Sequence, residues 1–284
     1  MAARPKTLTA ALVPILAGTA LTKCLGFSVQ IWISGLALLA SFFIQIGTNF
    51  VNDAIDFKKG ADTEARIGPQ RVTQSGIFSY RTVMSMAGIC FFLALLCGIP
   101  LVIHGGLPIL LIGLLSLFFG YAYTGGPFPL AYLGLGDIFV VLFFGLIAVG
   151  GLVFLQIGEW LDESLMLGLQ IGLHATVLIC INNLRDIEGD VLVGKKTLAV
   201  RFGKSFARTE IATLCFLPFL LNIFWLNRGI YLAAALPFLV LPLAARLCFL
   251  IFKTEPGPIY NQFLAKAAGL HLLFGILLSL GFLL

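Results

Sequence analysis

The chain has 284 residues, of which 60% are hydrophobic and 11% charged, against roughly 25% charged residues in an ordinary soluble domain. That balance leaves too little polar chain for a separate soluble domain and describes one integral membrane bundle, 1–284. The net charge of +5 reflects membrane topology, not a nucleic-acid partner.

A helix needs about 20 mostly apolar residues to cross a bilayer. Nine such stretches are predicted, at 7–26, 31–56, 80–103, 106–124, 135–156, 164–186, 207–226, 229–252 and 261–284. The first follows Arg4 and Lys6 and contains small residues at Leu16-Ala17-Gly18-Thr19-Ala20, so a cleaved signal peptide is the competing reading. The short turn after Lys23 into a second apolar run favours a helical hairpin. With the N-terminus placed inside, every Lys and Arg except Lys23 and Arg228 falls in cytoplasmic segments, and nine spans put the C-terminus outside. The expected location is thus the cell (inner) membrane. Cys24, Cys90, Cys97, Cys180, Cys215 and Cys248 are scattered singly without metal-ligand spacing and read as packing or lipid-facing residues. His104 and His271 read likewise, while His174 lies two turns before Asn182 and is a cavity candidate.

Two segments break the apolar pattern. At the end of the second span, Asn49, Asn52, Asp53 and Asp56 recur at intervals of three and four, which places them on one helix face. At the end of the sixth, Asn182, Asp186 and Asp190 recur at intervals of four, with Asn183 and Arg185 between them. One polar cluster at a membrane helix end commonly marks only the interface. Two facing sets of carboxylates repel unless a cation is shared between them. The all-oxygen donor set, Asp53, Asp56, Asp186 and Asp190 with the Asn52 amide, suits Mg²⁺ better than Zn²⁺. Basic residues trail each set: Lys58, Lys59, Arg66 and Arg71 after the first, Lys195, Lys196, Arg201 and Lys204 after the second. Some of these serve topology. Arg66 and Arg71 flank a Gly68-Pro69 turn, and their guanidinium forks suit phosphate oxygens, so a diphosphate is expected between metal and arginines.

On these motifs the chain resembles the intramembrane aromatic prenyltransferases of the UbiA superfamily. Asn52-Asp53 with Asp56 matches the first motif and Asp186 with Asp190 the second; Gly60 stands where many relatives carry a further Asp, and Asp62 follows it. Three loops resemble the 1,4-dihydroxy-2-naphthoate polyprenyltransferase branch: Arg66-Ile67-Gly68-Pro69-Gln70-Arg71, Tyr121-Ala122-Tyr123-Thr124-Gly125-Gly126-Pro127 with Tyr132 and Asp137 beyond, and Gly194-Lys195-Lys196-Thr197 through Arg201. The opening Arg4-Pro5-Lys6-Thr7-Leu8 also matches and speaks against a signal peptide. The resemblance implies an all-α fold of nine helices around a central cavity, with Mg²⁺ as cofactor and a polyprenyl diphosphate and an aromatic acceptor as partners. It implies substrate contacts from Asn49, Asn52, Lys58, Asp62, Arg66, Arg71, Asn182, Asn183, Arg185, Lys195 and Arg201. Tyr121 and Tyr123 would offer π-faces to an allylic cation. The rival acceptors are 4-hydroxybenzoate, homogentisate and a haem-like ring, and the rival class is a transporter.

Overall fold

The computed structural model describes residues 4–62 and 67–284, and these are helical with no strand. The helices are α1 (Pro5–Cys24), α2 (Ile31–Lys58), α3 (Tyr80–Ala122), the single turn α4 (Leu130–Leu133), α5 (Gly136–Ile157), α6 (Asp162–Arg185), the short α7 (Ile187–Leu192), α8 (Leu198–Asn227), α9 (Tyr231–Lys253) and α10 (Tyr260–Leu283). Eight of them are long and apolar enough to cross a bilayer. Only helices that satisfy their own backbone, or closed barrels, are viable in lipid, which is why long apolar runs adopt this form.

The third of these helices contains 43 residues, more than twice what a bilayer requires. It is not one rod. Gly106 takes φ 67° and ψ −152°, a region closed to residues with a Cβ, and the chain turns back there. Phe91 and Gly120 would lie about 40 Å apart on a straight helix, yet a Cβ added at Gly120 would sit 3.5 Å from the Phe91 ring. The two halves match the predicted spans 80–103 and 106–124, so the eight helices make nine passes.

α6 is the axis of the bundle. Buried residues make up 78% of its apolar stretch, against 17% in α2 and α3, which form an outer wall. Phe92, Ile103, Leu107 and Phe118 are well exposed, as apolar residues are when lipid is the solvent. Between helices in lipid, close packing supplies the association, and small residues make it possible where α10 sets Gly275 against Val13 of α1. Near its start α5 widens into a π-helical stretch, Val141–Ile147. That stretch, with the residues just before it, brings Phe139, Val140, Phe143 and Phe144 to a common interior surface.

The connections matter most for the site. The ends of α2 and α6, the loop 67–79, the segment containing α4, and the chain from α7 to α8 all meet at the same end of the bundle.

Candidate active site

Both polar motifs open onto one cavity of about 680 Å³. Its mouth carries Asn49, Asn52 and Asp56 from α2, Arg71 from the loop, Asn182, Asn183, Arg185, Asp186 and Asp190 from the second motif, and Lys195. Its depth is apolar, with Ile44, Phe119, Phe139, Phe143, Phe144, Ala148 and Leu178. Phe139 and Phe143 stack with centroids 5.6 Å apart, and Phe119 lies against both.

The carboxylates are held by specific partners. Asp56 is 2% exposed and accepts a 2.8 Å hydrogen bond from the Tyr132 hydroxyl. Its other oxygen lies 3.8 Å from both the Arg71 guanidinium and the Lys195 ammonium. Arg71 also pairs with the buried Asp62 at 3.3 Å and donates to Asn52 Oδ1 at 3.2 Å. Arg4 reaches the same Asn52 oxygen at 3.3 Å, and Asn49 donates to the Thr7 hydroxyl at 3.2 Å. In the second motif the Arg185 guanidinium grips Asp186 through two hydrogen bonds of 2.6 and 2.8 Å. Helix α6 ends at Asp186, but the Asp190 amide still donates to the Asp186 carbonyl at 2.8 Å, so the two carboxylates keep their four-residue spacing across the break.

Lys195 Nζ stands between the motifs, 3.5 Å from Asp190 and 3.8 Å from Asp56. Carboxylates from two separate helices therefore already converge on one cationic centre. The cavity lining around it offers oxygen donors from Asp56, Asp186, Asp190 and the side-chain amides of Asn52, Asn182 and Asn183, alongside the guanidinium groups of Arg71 and Arg185. This set fits a hard cation such as Mg²⁺, which takes few protein carboxylates and completes its shell with water and phosphate. Burial pushes the Asp190 carboxyl up to about 6, with Lys195 pulling it down and Asp186 and Asp56 adding to the rise. Below that value the group carries a proton and is a poor ligand; above it the carboxylate is free to bind. The apparent affinity for Mg²⁺ with inorganic pyrophosphate should therefore weaken as pH falls through about 6 and level off towards pH about 8. Titration calorimetry across that range checks this by comparison with Asp190→Asn, in which only the pyrophosphate's own protonation remains; identical profiles for the two would exclude Asp190 from the cation's surroundings.

Several expected residues stand elsewhere. Asp53 is fully buried, but its two oxygens accept from the backbone amides of Val72 and Thr73 at 3.2 and 3.0 Å. It anchors the loop that carries Arg71 and does not line the cavity. Lys58 is exposed, with Nζ 5.7 Å from the centre of the Tyr80 ring, outside the cavity. Tyr121 is 42% exposed on the outer wall, while Tyr123 lines the chamber. Arg201 donates to the carbonyls of Leu133 and Lys196 at 2.8 and 2.9 Å, tying two loops together, and does not line the cavity. Gly134 completes that tie: its φ is +72°, and a Cβ there would collide with the Lys196 carbonyl. Arg66 lies outside the described residues.

Tyr132 and Lys59, to which the motifs assigned no role, stand beside the cavity without lining it, and Lys59 Nζ donates to the Thr124 carbonyl at 3.0 Å. The Tyr132 ring lies under the Lys59 ammonium at 4.0 Å and near that of Lys195 at 5.0 Å. Burial and the Asp56 carboxylate raise the phenol well above its ordinary value, so it stays a hydrogen-bond donor. Lys59 is lowered, chiefly by burial, with the neighbouring Lys195 adding to this and Asp56 opposing it.

Residues 11–266 match the UbiA prenyltransferase family. The chain is 36% identical to the 1,4-dihydroxy-2-naphthoate octaprenyltransferase of Haemophilus influenzae, an alignment covering 99% of this chain and 94% of the relative. It is 32% identical to the enzyme of that name from Bacillus subtilis, over 99% and 90%. Among solved structures, a UbiA homologue from Archaeoglobus fulgidus bound to DMAPP and Mg²⁺ superposes with a TM-score of 0.66 at 17% identity, covering 98% of this chain and 97% of that one. The apo homologue from Aeropyrum pernix K1 gives 0.71 at 16% identity, over 97% and 96%. At such low identity these structures speak for the fold alone; by the family match and the sequence relatives, the chain belongs to the UbiA family of membrane prenyltransferases.

Proposed function

We propose that the chain transfers a polyprenyl group from polyprenyl diphosphate to 1,4-dihydroxy-2-naphthoate, releasing diphosphate and CO₂ and giving the reduced, quinol form of demethylmenaquinone. The observation that carries this reading is the division of one cavity into a charged mouth and an aromatic, apolar depth, on a chain 36% identical to an enzyme of that name. In this reading Asp56, Asp186, Asp190 and Asn52 hold Mg²⁺, which neutralises the leaving diphosphate when bound. Arg71 and Lys195 meet phosphate oxygens. Asp53 supports the site by fixing the Arg71 loop, and Arg66 is proposed as a further phosphate contact. The allylic C–O bond breaks with its electron pair leaving on diphosphate, and the cation that remains is sheltered from water by Phe119, Phe139, Phe143 and Phe144. The hydroxyl and ring of Tyr123 lie beside that space. A C–C bond to the acceptor ring then forms and the ring's bond to its carboxylate breaks, so the net change needs no outside oxidant or proton source. The motif end of the bundle faces the cytoplasm, with the N-terminus inside and the C-terminus outside.

The test is a competition. Purified protein receives Mg²⁺, a polyprenyl diphosphate, and 1,4-dihydroxy-2-naphthoate together with 4-hydroxybenzoate, and CO₂ and prenylated products are quantified. Naphthoate prenylation with stoichiometric CO₂ is expected. Preferential prenylation of 4-hydroxybenzoate with its carboxylate retained would replace the acceptor and leave the metal and diphosphate assignments standing.

A further inference from the structure

Asn261 opens the last helix, α10, 76 residues from Arg185 in sequence and outside both acidic motifs. Its side chain reaches in two directions. The oxygen accepts a 2.7 Å hydrogen bond from Arg185 Nη1, and the amide nitrogen donates to the Ile67 carbonyl at 3.1 Å. The remaining nitrogens of the same guanidinium hold Asp186 at 2.6 and 2.8 Å, and Arg185 is 3% exposed. The preceding residue makes Asn261 a firm support. Tyr260 is fully buried, and its hydroxyl lies 3.0 and 3.3 Å from the carbonyls of Thr254 and Ile251, which braces the turn between α9 and α10.

Among the described residues, the loop that begins at Ile67 is also held from the side of the first motif: Asp53 holds Val72 and Thr73; Asn52, Asp56 and the nearby Asp62 hold Arg71; and Val72 packs against Ala54 and Val83. Asn261 is where that loop meets the second motif. An arginine that both clamps a candidate ligand and rests on a rigid partner fixes the carboxylate's orientation, as hydrogen-bonded partners commonly do for metal-ligating carboxylates.

We infer that Asn261 is a positioning residue that joins the two motifs: through Arg185 it orients Asp186 toward Mg²⁺ and diphosphate, and through Ile67 it keeps the Arg71 loop closed over them. This rests on the diphosphate reading given above. The two halves of the side chain can be separated. Asn261→Ala removes both contacts, whereas Asn261→Asp keeps an acceptor for Arg185 and loses the donor to Ile67.

Two measurements on the purified full-length chain test it: mass-spectrometric timing of tryptic cleavage between Lys59 and Ser79, and calorimetric binding of inorganic pyrophosphate with Mg²⁺. In Asn261→Ala, cleavage should accelerate about tenfold and binding weaken about tenfold, the scale of one lost charge-assisted contact. In Asn261→Asp, fast cleavage should persist while binding returns to within about threefold of the parent, since the Arg185 contact is restored. An alanine variant that is cut and binds like the parent overturns the inference. So does an aspartate variant that loses binding as fully as the alanine one, because then Arg185 is not the route. Failure of the parent chain itself to bind Mg²⁺ and pyrophosphate would instead count against the proposed function, and the cleavage rates would still decide the tie to the loop.

Discussion

Asp56→Ala and Asp186→Ala are expected to lower turnover by about a hundred- to a thousand-fold each while leaving folded, membrane-inserted protein. That is the usual scale for removing one preorganised group that stabilises developing charge in a water-poor site. The leaving diphosphate accumulates negative charge as the allylic bond breaks, and each of these carboxylates is proposed to help hold the cation that offsets it. Asp56 lies in the cavity with Tyr132 and Lys195 against it, and Asp186 lies there with Arg185. EDTA should abolish turnover, and added Mg²⁺ should restore it. Asp53→Ala should behave differently: with its oxygens on Val72 and Thr73, its loss loosens the loop, and Asp53→Asn should recover part of the activity because one acceptor survives. Near-normal turnover in Asp56→Ala or Asp186→Ala would falsify the shared-cation site. An Asp53→Asn variant as inactive as Asp56→Ala would return Asp53 to the ligand set.

Removing Arg71 should have the second largest effect, and for two reasons that act together. Its guanidinium sits against the buried Asp56 and Asp62 and donates to Asn52. Breaking a buried ion pair by deleting one partner typically costs about 3–5 kcal/mol, because the other charge is left uncompensated. Part of this will appear as a lower melting temperature and part as lost diphosphate binding, so kcat/KM for the prenyl diphosphate should fall by about a hundredfold or more. Arg71→Lys keeps the charge but not the fork that reaches Asn52 and both carboxylates, and should recover only a fraction. Lys58→Ala is the control, since Lys58 is exposed and directed at Tyr80; its kcat/KM should stay within about twofold, as for most surface substitutions. Equal losses in Arg71→Ala and Lys58→Ala would show that the loop acts only through net charge.

The class of the protein and its passes were legible because lipid imposes a simple rule. Long apolar runs must be helices, and each interruption by Gly, Pro or charge marks an end. The break near Gly106 was readable for that reason, although the helix is otherwise continuous from Tyr80 to Ala122. The two acidic motifs were readable because intervals of three and four share a helix face. Their spacing alone, however, defines an arc and not a direction. At about 100° per residue, Asn49, Asn52 and Asp56 fall within a narrow sector while Asp53 lies on its flank. Only the packing of α2 against the 67–79 loop turned that flank away from the cavity and onto the amides of Val72 and Thr73.

The same limit explains the loops. Basic residues following a motif look alike in sequence, but Lys59 and Lys195 gather around the Tyr132 ring, Lys58 points outward, and Arg201 ties Leu133 to Lys196. Tyr121 and Tyr123 differ by two positions, which near a helix end is enough to place one on the outer wall and the other in the chamber. Asn261 had no local signal at all, because its partners Arg185 and Ile67 are 76 and 194 residues away. By itself the sequence determined the solvent, the helices, and which residue types can bind a cation and a diphosphate, all of which depend on composition and short-range periodicity. Which of those side chains meet was decided by the tertiary structure, since ion pairs and hydrogen bonds act over a few ångströms and only folding brings distant segments within that range.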